Sequence, residues 1–141
     1  MSAALPPLNF SFGPHAPADI LDFIERGPDA SELAAAPLLE VWQPILTPSH
    51  ELRLFGLLEP NPGSNASSGW ALTLDVCAVG PGRLWCKTTN RLYRVGRPAE
   101  VQGVDMPPSI RFPTNCKSLD FVQLDGLLAV IASMIRKVGR E

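Results

Sequence analysis

The chain has 141 residues, of which 45% are hydrophobic and 18% are charged, and its formal net charge is −2. This length fits one domain whose core can form without disulfides or metal ions. The longest uncharged apolar stretch, Leu127 to Ile135, is too short to span a bilayer. We therefore expect one soluble domain over residues 15–141, preceded by an extended arm over residues 1–14.

The charge distribution and the cysteine content indicate which partners and which cellular compartment to expect. Residues 1–60 hold eight acidic and two basic side chains, whereas residues 61–141 hold six acidic and ten basic ones. This asymmetry can steer a charged partner, or it can hold the two halves of one domain together. Three cysteines do not make a disulfide framework, which favours a reducing cytoplasm. The excess of Ala, Leu, Pro and Arg is typical of a GC-rich bacterial genome.

Two short helices are predicted near the N-terminus. The first covers Pro17 to Arg26, with a proline in its first turn and Gly27-Pro28 at its end. The second covers Ala30 to Ala36 and begins with a capping pair. The acidic side chains of these helices are one candidate binding surface, with a solvated helix face as the simpler alternative: Asp19, Asp22, Glu25, Asp29 and Glu32.

The middle of the chain predicts strands. Leu38 to Ile45 is apolar and ambiguous, whereas Glu51 to Glu59 alternates well enough to predict a strand. Residues 60–69 are rich in Pro, Gly, Asn and Ser and predict a mobile loop. A further short strand is expected at Ile110 to Phe112.

Trp70 to Val95 predicts a three-stranded antiparallel meander, and two registers are open for its first hairpin. A two-residue turn at Pro81-Gly82 gives faces that mix apolar and charged residues. A three-residue loop over residues 80–82 gives one apolar face and one polar face. We favour the three-residue loop for that reason. The resulting pairs are Val76 with Cys86, Ala78 with Leu84, and Asp75 with Lys87.

The second hairpin of the meander is predicted to turn at Thr89-Asn90. This turn pairs Trp85 with Arg94 on the outer face; on the core face it pairs Cys86 with Tyr93 and Leu84 with Val95. Basic side chains and an exposed tryptophan could together bind single-stranded nucleic acid. The alternative is that Trp85 packs with the stem of Arg94 beneath an acidic helix. The candidate binding residues of this face are Arg83, Trp85, Lys87, Arg91, Arg94 and Arg97.

The C-terminal segment predicts the longest helix. Ser118 is the expected cap, Asp120 lies in the first turn, and basic residues follow near the end. Apolar residues from Leu127 to Val138 cover most of the circumference, so we expect burial on more than one side. The helix is then either the central core helix or half of a homodimer interface.

The sequence offers little for catalysis. Cys116 precedes the expected helix start and adjoins Lys117, where a thiol pKa would fall, but a buried, inert cysteine is the commoner outcome. Ligand spacings for a metal and a glycine-rich phosphate loop are missing from the sequence, so we assign no catalytic residue, metal or cofactor.

These features predict an α+β fold. A meander of about four or five antiparallel strands packs with a long C-terminal helix and one or two short N-terminal helices. The expected function is a non-catalytic bacterial interaction protein, such as an inhibitor, an immunity-type protein or an accessory factor, with a protein partner. The alternative is a small nucleic-acid-binding or regulatory protein that uses the basic, aromatic face.

Overall fold

The computed structural model describes residues 8–12, 16–59, 69–98 and 115–139. The strand predicted at Ile110 to Phe112, most of the loop predicted over residues 60–69 and much of the predicted N-terminal arm lie outside these ranges. Within them, three helices and seven strands form the predicted α+β fold. No helix of the described ranges is long and apolar enough to cross a membrane.

The two N-terminal helices form where the sequence predicts them. Helix α1 spans Pro17–Arg26 and stops at Gly27, whose φ of 73° is a left-handed value that glycine tolerates. Helix α2 spans Ala30–Ala35 and begins with the predicted capping pair. There the Glu32 amide donates to the Asp29 side chain, and the Asp29 amide donates to the Glu32 side chain.

The described strands form one mixed sheet. In chain order they are β1 (Leu38–Leu46), β2 (Leu52–Glu59), β3 (Gly69–Leu72), β4 (Val76–Val79), β5 (Trp85–Thr88), β6 (Leu92–Val95) and β7 (Lys117–Ser118). Their spatial order is β3-β2-β1-β6-β5-β4, with β7 beside β1. Strand β1 pairs antiparallel with β2 and parallel with β6, so the ambiguous segment is a central strand. The sheet therefore has more strands than the four or five predicted.

The two ends of this strand order are joined by three residues. Between β3 and β4, the Thr73 amide donates to the Leu54 carbonyl at 2.9 Å, and the Thr73 hydroxyl accepts from the Leu54 amide at 3.0 Å. These bonds tie the β3–β4 connection back to β2. The sheet therefore curls around one hydrophobic core.

The predicted first strand of the meander, Trp70 to Val79, is two strands. Strand β3 pairs with β2, whereas β4 pairs with β5. Between them Leu74 is 42% exposed and Asp75 is buried, the reverse of what a continuous strand would place on its core face. The alternation of residue types continues through the break, so it did not mark the point where the chain changes partners.

The predicted register of the first hairpin is also wrong. Val79 lies opposite Cys86, and Ala78 lies opposite Lys87. A β-bulge in β4 separates these two pairs from the pair at the start of that strand. The connection contains a 3-10 turn, Pro81–Arg83, and is longer than a three-residue loop. Two of its residues have positive φ, which alternation cannot anticipate. As a result Asp75 does not face Lys87, and Leu84 is 67% exposed instead of lying in the core.

The second hairpin has the predicted register. Trp85 pairs with Arg94 and Cys86 with Tyr93. The turn is held by the buried Thr88 hydroxyl, which accepts from the Arg91 amide at 3.2 Å and donates to the Asn90 side chain at 2.7 Å. A local hydrogen-bonding residue thus fixes this register.

Helix α3 spans Phe121–Gly139. Asp120 is its cap, since the Gln123 amide donates to the Asp120 carboxylate at 2.7 Å, while the predicted cap Ser118 lies in β7. One side of α3 is buried, through Leu124, Leu127, Ile131 and Ile135. Val122, Val130 and Val138 are 81%, 40% and 40% exposed. The expectation that α3 is buried on more than one side is therefore wrong for the isolated chain.

Candidate functional site

Arg83 is bound to α3 by charge and by aromatic contact. Its Nη2 lies 3.1 and 3.0 Å from the two carboxylate oxygens of Asp125. Its guanidinium carbon lies 4.4 Å from the ring centroid of Phe121. Both groups favour a cation, so Arg83 connects the β4–β5 turn to the start of α3.

Trp85 and Lys87 lie beneath α1. The rings of Trp85 and Phe23 meet edge to face, with centroids 6.2 Å apart and planes at 85°. Lys87 places Nζ 5.4 Å from the same phenyl centroid and donates to the Thr88 carbonyl at 2.8 Å. Burial lowers the pKa of the Lys87 ammonium. The outer face of β5 is thus half-buried by the acidic helix.

The remaining basic residues of the predicted face contact different parts of the fold. Arg94 donates through Nε to the Ala36 carbonyl at the end of α2, at 3.0 Å. Arg97 lies 3.8 Å from Glu40 of β1. Arg91 is exposed above the Tyr93 ring, 5.6 Å from its centroid, and borders an open groove of about 270 Å³ beside α2. The structure therefore distributes the six predicted residues among α1, α2, α3 and β1.

The acidic residues divide into two groups. Asp29 and Glu32 are used locally, in the α2 cap and in an ion pair of 2.7 Å between Glu32 and Arg26. The hydrogen bond from Arg26 is the main reason that the pKa of Glu32 is lowered. Asp19, Asp22 and Glu25 lie on the exposed side of α1. Asp19 and Asp22, which we call the acidic side of α1, project their charge into solvent.

A charged cluster that the sequence did not indicate lies at the other end of the sheet. Arg53 Nη2 is 3.1 Å from a Glu51 oxygen and 3.4 Å from an Asp75 oxygen. The second Asp75 oxygen accepts from the Ser11 amide at 3.2 Å. The cluster borders a pocket of about 190 Å³ whose wall includes Leu74.

This cluster joins three distant segments. It ties the N-terminal residues 8–12 to β2 and to the β3–β4 connection, because Asp75 contacts both Ser11 and Arg53. Burial raises the pKa of Asp75, and the Ser11 amide opposes that effect. The Glu51-Leu52-Arg53 alternation predicts a strand, but nothing in it indicates the contact with Asp75.

The cysteines give no activated nucleophile. Cys77 and Cys86 are buried, and burial raises the pKa of the Cys77 thiol to about 12 and that of Cys86 as well. Cys116 precedes β7, not a helix, and partial burial raises the pKa of its thiol, so the expected fall is wrong. Across residues 8–12, 16–59, 69–98 and 115–139, no group of three or more His, Cys, Asp or Glu side chains could hold a metal.

Comparison with known proteins places this arrangement in a family. The model of a family described as "Family of unknown function (DUF6634)" matches residues 18–131. This stretch runs from α1 into α3 and contains every candidate surface residue. No curated protein and no solved structure matches the chain. The chain belongs to this family of unknown function.

Proposed function

We propose that the protein is a non-catalytic bacterial interaction protein that binds a basic protein partner through the acidic side of α1. The observation that carries the proposal is an asymmetry in how the two charged surfaces are used. Basic residues Arg83, Lys87 and Arg94 contact the protein's own helices. The exposed carboxylates of Asp19 and Asp22 instead face solvent.

The attachment of α1 supports this role. Ile20 and Leu21 are buried in the core, and Phe23 packs on Trp85, so the helix is fixed by one side. A rigid helix presents its charges in a defined geometry, which favours specificity and steered association. An inhibitor, an immunity-type protein or an accessory factor would act in this way without reactive groups. The proposal includes a cytoplasmic location, where the three free cysteines stay reduced.

The test begins with a tagged protein expressed in the organism that encodes it. Partners that co-purify are identified by mass spectrometry, purified, and titrated against the protein by calorimetry at low and moderate salt. The charge-reversed variant Asp19→Lys/Asp22→Lys should bind at least about tenfold more weakly. The matched control is Glu59→Lys, at the end of β2. Equal affinity of wild type and the α1 variant for every purified partner would refute the proposal.

The nucleic-acid alternative requires a different surface. Trp85 already packs against Phe23, with ring centroids 6.2 Å apart, so a base that stacks on the indole would compete with this contact. Arg91 and Arg97 are exposed and stay available for phosphate. A fluorescence anisotropy titration with a labelled single-stranded oligonucleotide at low salt tests it, and salt-sensitive binding that Trp85→Ala weakens would favour it. Self-association through α3, also predicted from the sequence, stays part of the proposed function.

A further inference from the structure

The solvent side of α3 carries exposed apolar side chains beside charged ones. Val122 is 81% exposed, Val130 is 40% exposed, and Ala129 and Ser133 are exposed between and beyond them. We call Val122, Gly126, Ala129, Val130 and Ser133 the outer face of α3. Two of the six large hydrophobic side chains that are exposed in the described residues, Val122 and Val130, belong to this face. Concentrated exposed apolar surface marks interaction sites.

The outer face suits the close approach of a second helix. At about 100° per residue, Val122, Ala129 and Ser133 lie opposite the buried Ile131. Val130 lies at the edge of the face, nearer to Leu127. Gly126, Ala129 and Ser133 are small, so a neighbouring backbone can come near. Val122 and Val130 flank these small positions and provide apolar surface to bury. Helices packed in this way have axes about 8–10 Å apart.

The charged residues beside the outer face of α3 are placed so that two antiparallel copies of the helix are electrostatically complementary. Asp125 lies five residues before Val130, and Arg136 lies six residues after it, on the same flank of the helix. A two-fold axis that passes near Val130 relates two antiparallel copies of α3. Asp125 of each copy then lies beside Arg136 of the other copy. Asp125 already accepts from Arg83, and a carboxylate has acceptor capacity for both guanidinium groups.

We propose that the occupant of the outer face of α3 is a second copy of this chain, in an antiparallel pair centred near Val130. A two-fold interface uses the same patch on both partners, so the patch must be self-complementary. The outer face meets this condition because its small residues surround the axis and its opposite charges stand at similar distances from it. The proposal rests on the self-association proposed above and specifies its geometry; it does not depend on the acidic side of α1.

Disulfide trapping tests this geometry directly. In a Cys116→Ser background, Ala129→Cys places a thiol within a few ångströms of the axis, so it should form a covalent dimer rapidly under mild oxidation. Val122→Cys is more exposed but lies about 12 Å along the helix from the axis, and its thiol faces its own symmetry mate across about twice that distance. It is the matched control and should cross-link at least about tenfold more slowly. Equal rates would overturn the antiparallel geometry.

Sedimentation velocity tests the self-association itself. Wild type should sediment at twice the monomer mass in the micromolar range, and Ala129→Arg should be monomeric because the two-fold axis brings both new cations together. Ala34→Arg, an exposed alanine of α2, is the matched control and should stay dimeric. Wild type that stays monomeric at about 100 μM would overturn the proposal. This holds even if Ala129→Arg abolishes the binding of a different protein. Asp19→Lys/Asp22→Lys should sediment like wild type, so the two proposals fail separately.

Discussion

The phenyl ring of Phe23 and the indole of Trp85 meet edge to face, with ring centroids 6.2 Å apart and planes at 85°. This contact joins α1 to the outer face of β5, on which Trp85 and Lys87 lie. Because the ring of Phe23 also lies near Lys87 Nζ, one aromatic side chain engages both a tryptophan and a cation. The acidic helix therefore covers part of the face that the sequence offered for nucleic acid.

Removing either ring should destabilise the fold. Phe23→Ala and Trp85→Ala each lose partly buried aromatic surface, and each should lower the free energy of unfolding by about 1–2 kcal/mol. The double variant should show a coupling of about 0.5–1.5 kcal/mol, as expected for an aromatic pair. Urea unfolding followed by tryptophan fluorescence for Phe23→Ala, and by circular dichroism for all variants, measures these values. Additive effects would mean that the rings do not interact.

A matched substitution tests whether the loss of stability is specific to the contact between Phe23 and Trp85. Leu84→Ala removes apolar atoms from a side chain that is 67% exposed and lies outside α3, so the free energy of unfolding should change by no more than about 0.5 kcal/mol.

Gly80 packs directly against the same indole. A Cβ atom at this position would overlap the Trp85 ring, although the φ of Gly80, −73°, suits any residue. Gly80→Ala should therefore lower the free energy of unfolding by about 1–3 kcal/mol through overpacking alone. Gly69→Ala is the control, because nothing lies within 4 Å of its new Cβ. Chemical denaturation of both variants checks this; a Gly80→Ala protein as stable as Gly69→Ala would contradict it.

Local signals were sufficient for some elements and not for others. The capping pair of Asp29 and Glu32 and the turn at Thr88 act within a few residues, so α2 and the second hairpin could be predicted. The first hairpin depends on a bulge and on positive φ at Arg83, and both are consequences of how β4 meets the rest of the sheet. Register follows pattern only where the turn is regular.

The candidate site shows the same limit. Composition identified the basic and acidic groups correctly, but it could not pair Arg83 with Asp125, 42 positions away, or Arg94 with the Ala36 carbonyl, 58 positions away. The cluster of Arg53 and Asp75 was missed for the same reason. The sequence indicated which residues carry charge, whereas the fold determines which of them stay available to a partner.

Thiol labelling should distinguish the three cysteines. Burial raises the pKa of Cys77 to about 12 and also raises that of Cys86, so both stay protonated and shielded in the folded protein. Titration with a chromogenic disulfide reagent near pH 8 should therefore modify one thiol quickly, and Cys116→Ser should remove this fast phase. All three thiols should react in denaturant. A fast phase that survives in Cys116→Ser would show that the core around β4 and β5 opens readily.

The buried carboxylate of Asp75 predicts a pH dependence of stability. Because burial raises its pKa in the folded state, the folded protein holds the Asp75 proton more tightly than the unfolded chain does. The contribution of Asp75 to stability is therefore full below the ordinary aspartate pKa of about 3.9 and is lost as the pH rises through the raised value. Asp75→Asn has no such dependence, so its free energy of unfolding relative to wild type should increase with pH over this window. Urea titrations from about pH 3.5 to 7 measure the difference, and a difference that is flat or falls with pH would contradict this account of Asp75.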